Sequence, residues 1–288
     1  MAQAADPDPA PGSATAGGSG TPLRERVAGI PDSPLVGMSP WIVFSLLVGP
    51  GRFEWAVGAA LLISLALVVG HQMSHRGASV KILEVSDAVF FAVMAVIGLV
   101  ASPGTHRWLE TYAGEVSNIA LTLIAFGSMA VGTPFTLQYA RERVDPAYWK
   151  KPSFLRTNHL ITGAWGAAFL VAALAGAYGD LVLHDPGNVW TGWIIQILAI
   201  VAALRFTAWY PDVVRARARG DRRVPSLSDL FAPLAGLLVP VGIAVMVFEG
   251  HLWWLGAALI VVGGWLARHL KRQGDGGEAT PEPGRAAH

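Results

Sequence analysis

Apolar residues in this chain come in long unbroken runs, without the strict alternation of a half-buried strand or the one-sided spacing of a surface helix. The runs cover residues 36–50, 53–70, 83–102, 115–132, 159–178, 189–210, 229–248 and 252–269. A helix needs about 20 apolar residues to cross roughly 30 Å of hydrocarbon, and most of these runs come close to that length. The first is short, and Pro40 and Gly49-Pro50-Gly51 interrupt it, so it reads as a half-span or a re-entrant piece. The pattern predicts an all-α, polytopic transmembrane helix bundle of about eight spans, or seven if the first is re-entrant.

The ends have a different texture. Residues 1–34 are mostly Ala, Pro, Gly, Ser, Thr and Asp, with little to bury, and read as a disordered N-terminal tail. Asp6, Pro7, Asp8 and Pro9 stand where a signal peptide would carry a basic start and an apolar core. Residues 273–288 read as a second disordered tail, which leaves 35–272 as the transmembrane domain.

Composition agrees with the runs. The 288 residues are 53% apolar and 14% charged, against about 25% charged in soluble domains. Mean hydropathy is +0.46. There is no cysteine, which excludes disulfides, thiolate metal sites and thiol nucleophiles. Net charge is only +1, so the placement of charge carries more information than its total.

That placement is one-sided. Arg24 and Arg26 precede the first run. Arg76 and Lys81 join the second and third, and Arg141, Arg143, Lys150, Lys151 and Arg156 join the fourth and fifth. Arg215, Arg217, Arg219, Arg222 and Arg223 join the sixth and seventh, and Arg268, Lys271, Arg272 and Arg285 follow the eighth. Eighteen cations therefore fall on one side and two, Arg52 and Arg107, on the other, with Arg205 inside the sixth run. The bias predicts that both termini are cytoplasmic, and the abundance of Ala, Gly and Arg hints at a bacterial source, so a protein of the bacterial cytoplasmic membrane is expected. A re-entrant first run would move only the N-terminus.

Several polar groups are candidates for chemistry. His71 and His75 lie one helical turn apart, so both rings could face one metal. The same spacing opens the histidine boxes of membrane desaturases, but the other histidines are scattered singly, so the pair reads as a helix C-terminal cap and no metal or cofactor is expected. Glu84 and Asp87 share a face at the start of the third run. A first-turn carboxylate suits the helix dipole, whereas a deeper one marks a proton or cation path. Asp87, with Asn118 and Gln196 in the fourth and sixth runs, forms the candidate intramembrane polar path, although such amides more often hydrogen-bond neighbouring helices.

The segment from Thr133 to Trp165 mixes cations with rings. Pro134 suits a helix start, and Asp145-Pro146 suits a cap and a second start, so residues 134–156 are expected to form two short helices on the membrane surface. Arg141, Arg143, Tyr148, Trp149, Lys150 and Lys151 are the candidate lipid-interface residues. Phe135, Leu137, Tyr139 and Phe154 are candidate apolar contacts with lipid. The cations point to membrane lipids, anionic ones among them, as partners. No phosphate loop or nucleophile elbow occurs, no soluble catalytic domain fits between the runs, and nothing suggests nucleic acid.

Trp149, Asn158, Trp165 and Phe169 follow one another as a loop tryptophan, an asparagine, and a Trp and Phe opening the next span. In this order, and in the hydropathy rhythm of residues 53–205, the chain resembles bacterial multi-pass membrane proteins and, more distantly, the intracellular septation protein A family. The likeness covers about half the chain, because the last two runs have no counterpart. It implies an inner-membrane protein tied to envelope synthesis and division through protein contacts, and it supplies no catalytic residues. The expectation is therefore a non-enzymatic scaffold with membrane-protein partners. A small secondary transporter or channel is the alternative, and a membrane enzyme resting on His71 and His75 comes third.

Overall fold

The computed structural model describes residues 34–74, 81–248 and 250–275, and among them there is no strand. After a helical turn at Pro34–Gly37 come α1 (Ser39–Leu47), α2 (Phe53–Ser74), α3 (Ile82–Val100), α4 (Pro103–Ala130), α5 (Phe135–Arg143) and α6 (Pro152–Leu181). The π-helical turn Trp190–Ile194 leads into α7 (Ile195–Arg219), followed by α8 (Leu227–Gly236), α9 (Leu238–Phe248) and α10 (Trp253–Asp275). Seven helical stretches are long and apolar enough to cross a membrane. They are α2, α3, α4, α6, α7 with its π turn, α8 and α9 together, and α10 with the turn before it. The protein is an all-α polytopic bundle.

The helix ends follow local chemistry. Ser102 Oγ accepts a hydrogen bond from the Thr105 amide at 3.3 Å, with Pro103 as the first helical residue of α4. Gly220, at φ +69°, closes α7 in the left-handed conformation that only glycine adopts without strain. Ser226 and Asp229 form a capping box that starts α8. The break between α8 and α9 lies between Pro233 and Pro240, each of which removes a backbone donor.

α1 is too short to span by itself, but its neighbours show where it runs. Gly37 lies against Leu83, Trp41 bonds to Asp87, Phe44 packs on Phe91, and Phe53 lies against Gly98. The offset is nearly constant, so the segment from Pro34 to Phe53 runs parallel to α3. It follows α3 for about 22 Å at 1.5 Å per residue. It reaches the far end as a helix that gives way to a turn, where the Gly51 amide donates to Glu110 in α4 at 2.7 Å. The run expected to be a half-span therefore extends along most of the bundle. Pro34 lies at the same end as the α2–α3, α4–α6 and α7–α8 connectors. That end carries most of the cations and is called the basic face below.

α6 is the central helix, packed against α4 and α7. Trp165 is 1% exposed and donates to Thr207 at 3.0 Å. A Cβ at Gly166 would lie 2.9 Å from the Phe126 ring. Leu62, Leu99, Leu123, Leu174 and Val247 point outward and exposed, as expected of side chains whose solvent is lipid.

Four helix boundaries expected from the sequence need correcting. α4 begins at Pro103 and not at 115, because His106, Glu110 and Glu115 are partnered polar residues within a helix and not a loop. α6 begins at Pro152, and α7 continues through Pro211 to Arg219. α10 runs to Asp275, three residues into the expected C-terminal tail. The remainder of both tails, and His75, lie outside the described residues.

Candidate functional site

The most unusual chemistry is a buried charge cluster at the basic face. Lys81 is the residue before α3, and its side chain is 2% exposed. Its Nζ stands 2.9 Å from Glu142 Oε2 on α5, 3.6 Å from Glu84 Oε1 on α3, and 4.4 Å from the centre of the Tyr139 ring. His71, near the end of α2, places Nε2 3.7 Å from Glu142 Oε1. One turn deeper than Glu84, Asp87 is fully buried and accepts a 2.6 Å bond from Trp41 Nε1 on α1.

The local sequence accounts for this gathering. Lys81, Glu84 and Asp87 are spaced by three, so α3 presents them in one column. α5 is brought over that column by its own apolar face: Phe135, Leu137 and Tyr139 are all buried, and Thr136 bonds to Thr162 at 2.7 Å in α6. Gln138 Oε1 accepts from the Ile82 amide at 2.6 Å, so α5 also satisfies an orphan donor at the start of α3. Four helices thus meet at one point, α1, α2, α3 and α5, together with Lys81, the residue preceding α3.

The cluster is incompletely satisfied. Glu84 Oε2, Asp87 Oδ2 and the Tyr139 hydroxyl are buried with no hydrogen-bond partner among the described residues. Buried polar atoms are nearly always paired, so three such atoms in one place need a reason. Burial pushes the Tyr139 phenol above its ordinary range, and the carboxylates of Glu84, Asp87 and Glu142 push it further, so it stays a neutral donor. Three carboxylates face one lysine and one histidine.

A second polar layer lies nearer the opposite face. Asn118 Nδ2 donates to Gln196 Oε1 at 3.1 Å, and Gln196 Nε2 donates to the Thr191 carbonyl at 3.0 Å. The carboxylates of Glu115 and Asp180 stand near each other one turn further out. Asn118 and Gln196 therefore bond to each other between α4 and α7. Asp87 does not join them: its partner is Trp41.

The connector has two roles. It does form two short helical pieces, α5 and a 3₁₀ turn at Pro146–Tyr148. Tyr148, Lys150 and Lys151 are exposed, as is Arg143, and Lys151 lies 4.0 Å over the Tyr148 ring. Arg141 lies over Trp149 at 5.6 Å, and Trp149 Nε1 donates to the Val144 carbonyl at 2.8 Å. Phe135, Leu137 and Tyr139, expected against lipid, are instead packed into the bundle. The apolar face of α5 is matched to protein, and its burial holds Glu142 over Lys81.

Among the described residues, no group of three or more histidines and carboxylates is placed to hold a metal ion. No protein-family model, curated protein or solved structure matches the chain.

Proposed function

We propose that this chain is a proton-linked transporter or channel of the bacterial cytoplasmic membrane, with the Glu84–Asp87 pair as its proton-binding site. One observation carries the reading. A fully buried aspartate inside a membrane-spanning helix has one oxygen bonded to Trp41 and the other unpartnered, one turn from a second carboxylate in the same condition. Ionisable groups at such depth are costly and usually serve ion or proton movement. The partners span four helices, so gaining or losing a proton there would act on the seat of α1 and α5 together. The Glu115–Asp180 pair near the other face gives a second carboxylate site on the far side of the bundle.

Both termini are assigned to the cytoplasm. Support comes from the one-sided cations and from the course of the Pro34–Phe53 segment, whose first residue lies at the basic face.

The scaffold reading has one observation in its favour. Two cavities at the basic face, of about 380 and 430 Å³, are lined by residues outside the cluster. The experiment that decides is an acid jump on proteoliposomes holding a trapped pH dye. Wild-type vesicles should relax faster than empty ones, and Asp87→Asn, checked for native helicity, should relax like empty ones. Equal relaxation of wild-type, mutant and empty vesicles would return the chain to the scaffold class. Copurifying envelope proteins would then be sought by pull-down from native membranes.

A further inference from the structure

We infer that the trough between α7, α8 and α10 at the basic face is a binding site for the phosphate headgroup of one anionic phospholipid, with Arg205 as its principal ligand. Arg205 is the one cation that the charge pattern places inside a span. Its Nε is buried without a hydrogen-bond partner, and its Nη2 reaches only the Asp229 carbonyl at 3.5 Å, the outer limit of a bond. Asp229 stands in the first turn of α8, so Arg205 lies at the depth where the next span begins, close to the phosphate layer.

The guanidinium opens on a cavity of about 430 Å³, also lined by Arg223, Trp209, Ala208 and Pro225. The two acids on its wall are already engaged. Asp229 Oδ2 accepts from the Ser226 amide at 2.7 Å and from the Ser226 hydroxyl at 3.0 Å, and Asp212 pairs with Arg215. Trp209 Nε1 donates to the Ser226 carbonyl at 2.9 Å, which fixes the loop over the site. Nε is closed off from the cavity, so Arg205 meets it through its terminal guanidinium nitrogens, of which Nη2 has only the long bond to Asp229.

A second cavity of about 380 Å³ shares Asp229 and continues past Ala232, Pro233 and Ala267 to Lys271 on α10. The combined shape has cationic ends and small apolar walls between them. A phosphodiester at Arg205 would leave its glycerol and acyl chains against those short side chains. Basic pockets between helices at the cytoplasmic interface take anionic headgroups in this way, and the planar arginine fork suits two phosphate oxygens.

The inference rests on the membrane orientation proposed above but not on Asp87, so the two can fail separately. The test is native mass spectrometry of the full chain, released from micelles carrying phosphatidylglycerol, phosphatidylethanolamine or inorganic phosphate alone. Wild type should retain one phosphatidylglycerol, and retention should fall about tenfold in Arg205→Gln, the loss of one charge-assisted fork. Ala208→Leu, which fills the cavity without touching a charge, should lower retention as well, and it decides the matter if Arg205→Gln fails to fold. Arg107→Gln, at the opposite face, should change nothing. Equal retention of phosphatidylethanolamine, displacement by free phosphate at equal concentration, or unchanged retention in both trough variants would each overturn the assignment.

Discussion

Replacing Lys81 with methionine is the sharpest probe of the cluster. The methionine keeps most of the volume and removes the charge. It leaves Glu142 and Glu84, which stood 2.9 and 3.6 Å from Nζ, with no lysine between them. At an effective dielectric of about 20, those separations correspond to roughly 5–6 and 4–5 kcal/mol of gross attraction, most of which offsets the cost of burying the charges. Breaking a buried pair from one side costs about 3–5 kcal/mol. Glu142 keeps 20% of its side chain exposed, so the lower end applies, about 3 kcal/mol. That is about a hundredfold in the folded-to-unfolded ratio. Reversible SDS titration in mixed micelles, read by far-UV circular dichroism, would measure it. The triple variant Lys81→Met, Glu84→Gln, Glu142→Gln removes the stranded charges and should fall within about 1 kcal/mol of wild type. A single mutant as stable as wild type, or a triple mutant as unstable as the single one, would refute the idea that opposed charges hold α5 over α3.

Two further outcomes are expected. Gly242→Leu should lower the unfolding midpoint sharply, because a Cβ there would meet the Gly256 carbonyl at 2.5 Å and the Ile260 side chain at 2.8 Å, whereas Gly236→Ala, with nothing within 4 Å, should be neutral or slightly stabilising; the same SDS titration compares them. Reporter fusions after Gly220 and Lys271 should read cytoplasmic and one at Asp185 external, and a cytoplasmic signal at Asp185 would contradict the assigned orientation.

The seven long spans were legible because hydropathy reports lipid immersion directly, and their centres fall where the runs do. Their ends were less legible because a helix does not stop where lipid stops. His106 faces Glu54 at 3.2 Å, so a polar stretch that looked like a loop is a paired helical turn. The charge cluster was only half visible. Lys81 counted as one more orienting cation, Glu84 as a dipole partner, and Glu142 drew no notice. The spacing of three from Lys81 through Glu84 to Asp87 was the available signal, since a solvated column has no need of a lysine buried to 2%. Nothing local could bring Glu142 to that column. Its position depends on α5 docking through Phe135, Leu137 and Tyr139, and the same rings beside the same cations fit a lipid surface equally well. The meeting of Asn118 with Gln196 was anticipated as a line of polar groups, whereas the separate partner of Asp87 was not, because Trp41 belonged to a segment with no assigned course.

That course also bears on how the chain is made. A nine-residue helix has too little apolar length to be held in a bilayer by partition alone. Its seat is built from residues that leave the ribosome later: Asp87 and Phe91 on α3, then Tyr139 on α5, whose hydroxyl lies against Gly37. The segment precedes its partners in the chain and is thus among the last to settle. Until α5 has been synthesised, Trp41 has no complete place to go, and α1 must wait at the membrane for the helices that will receive it.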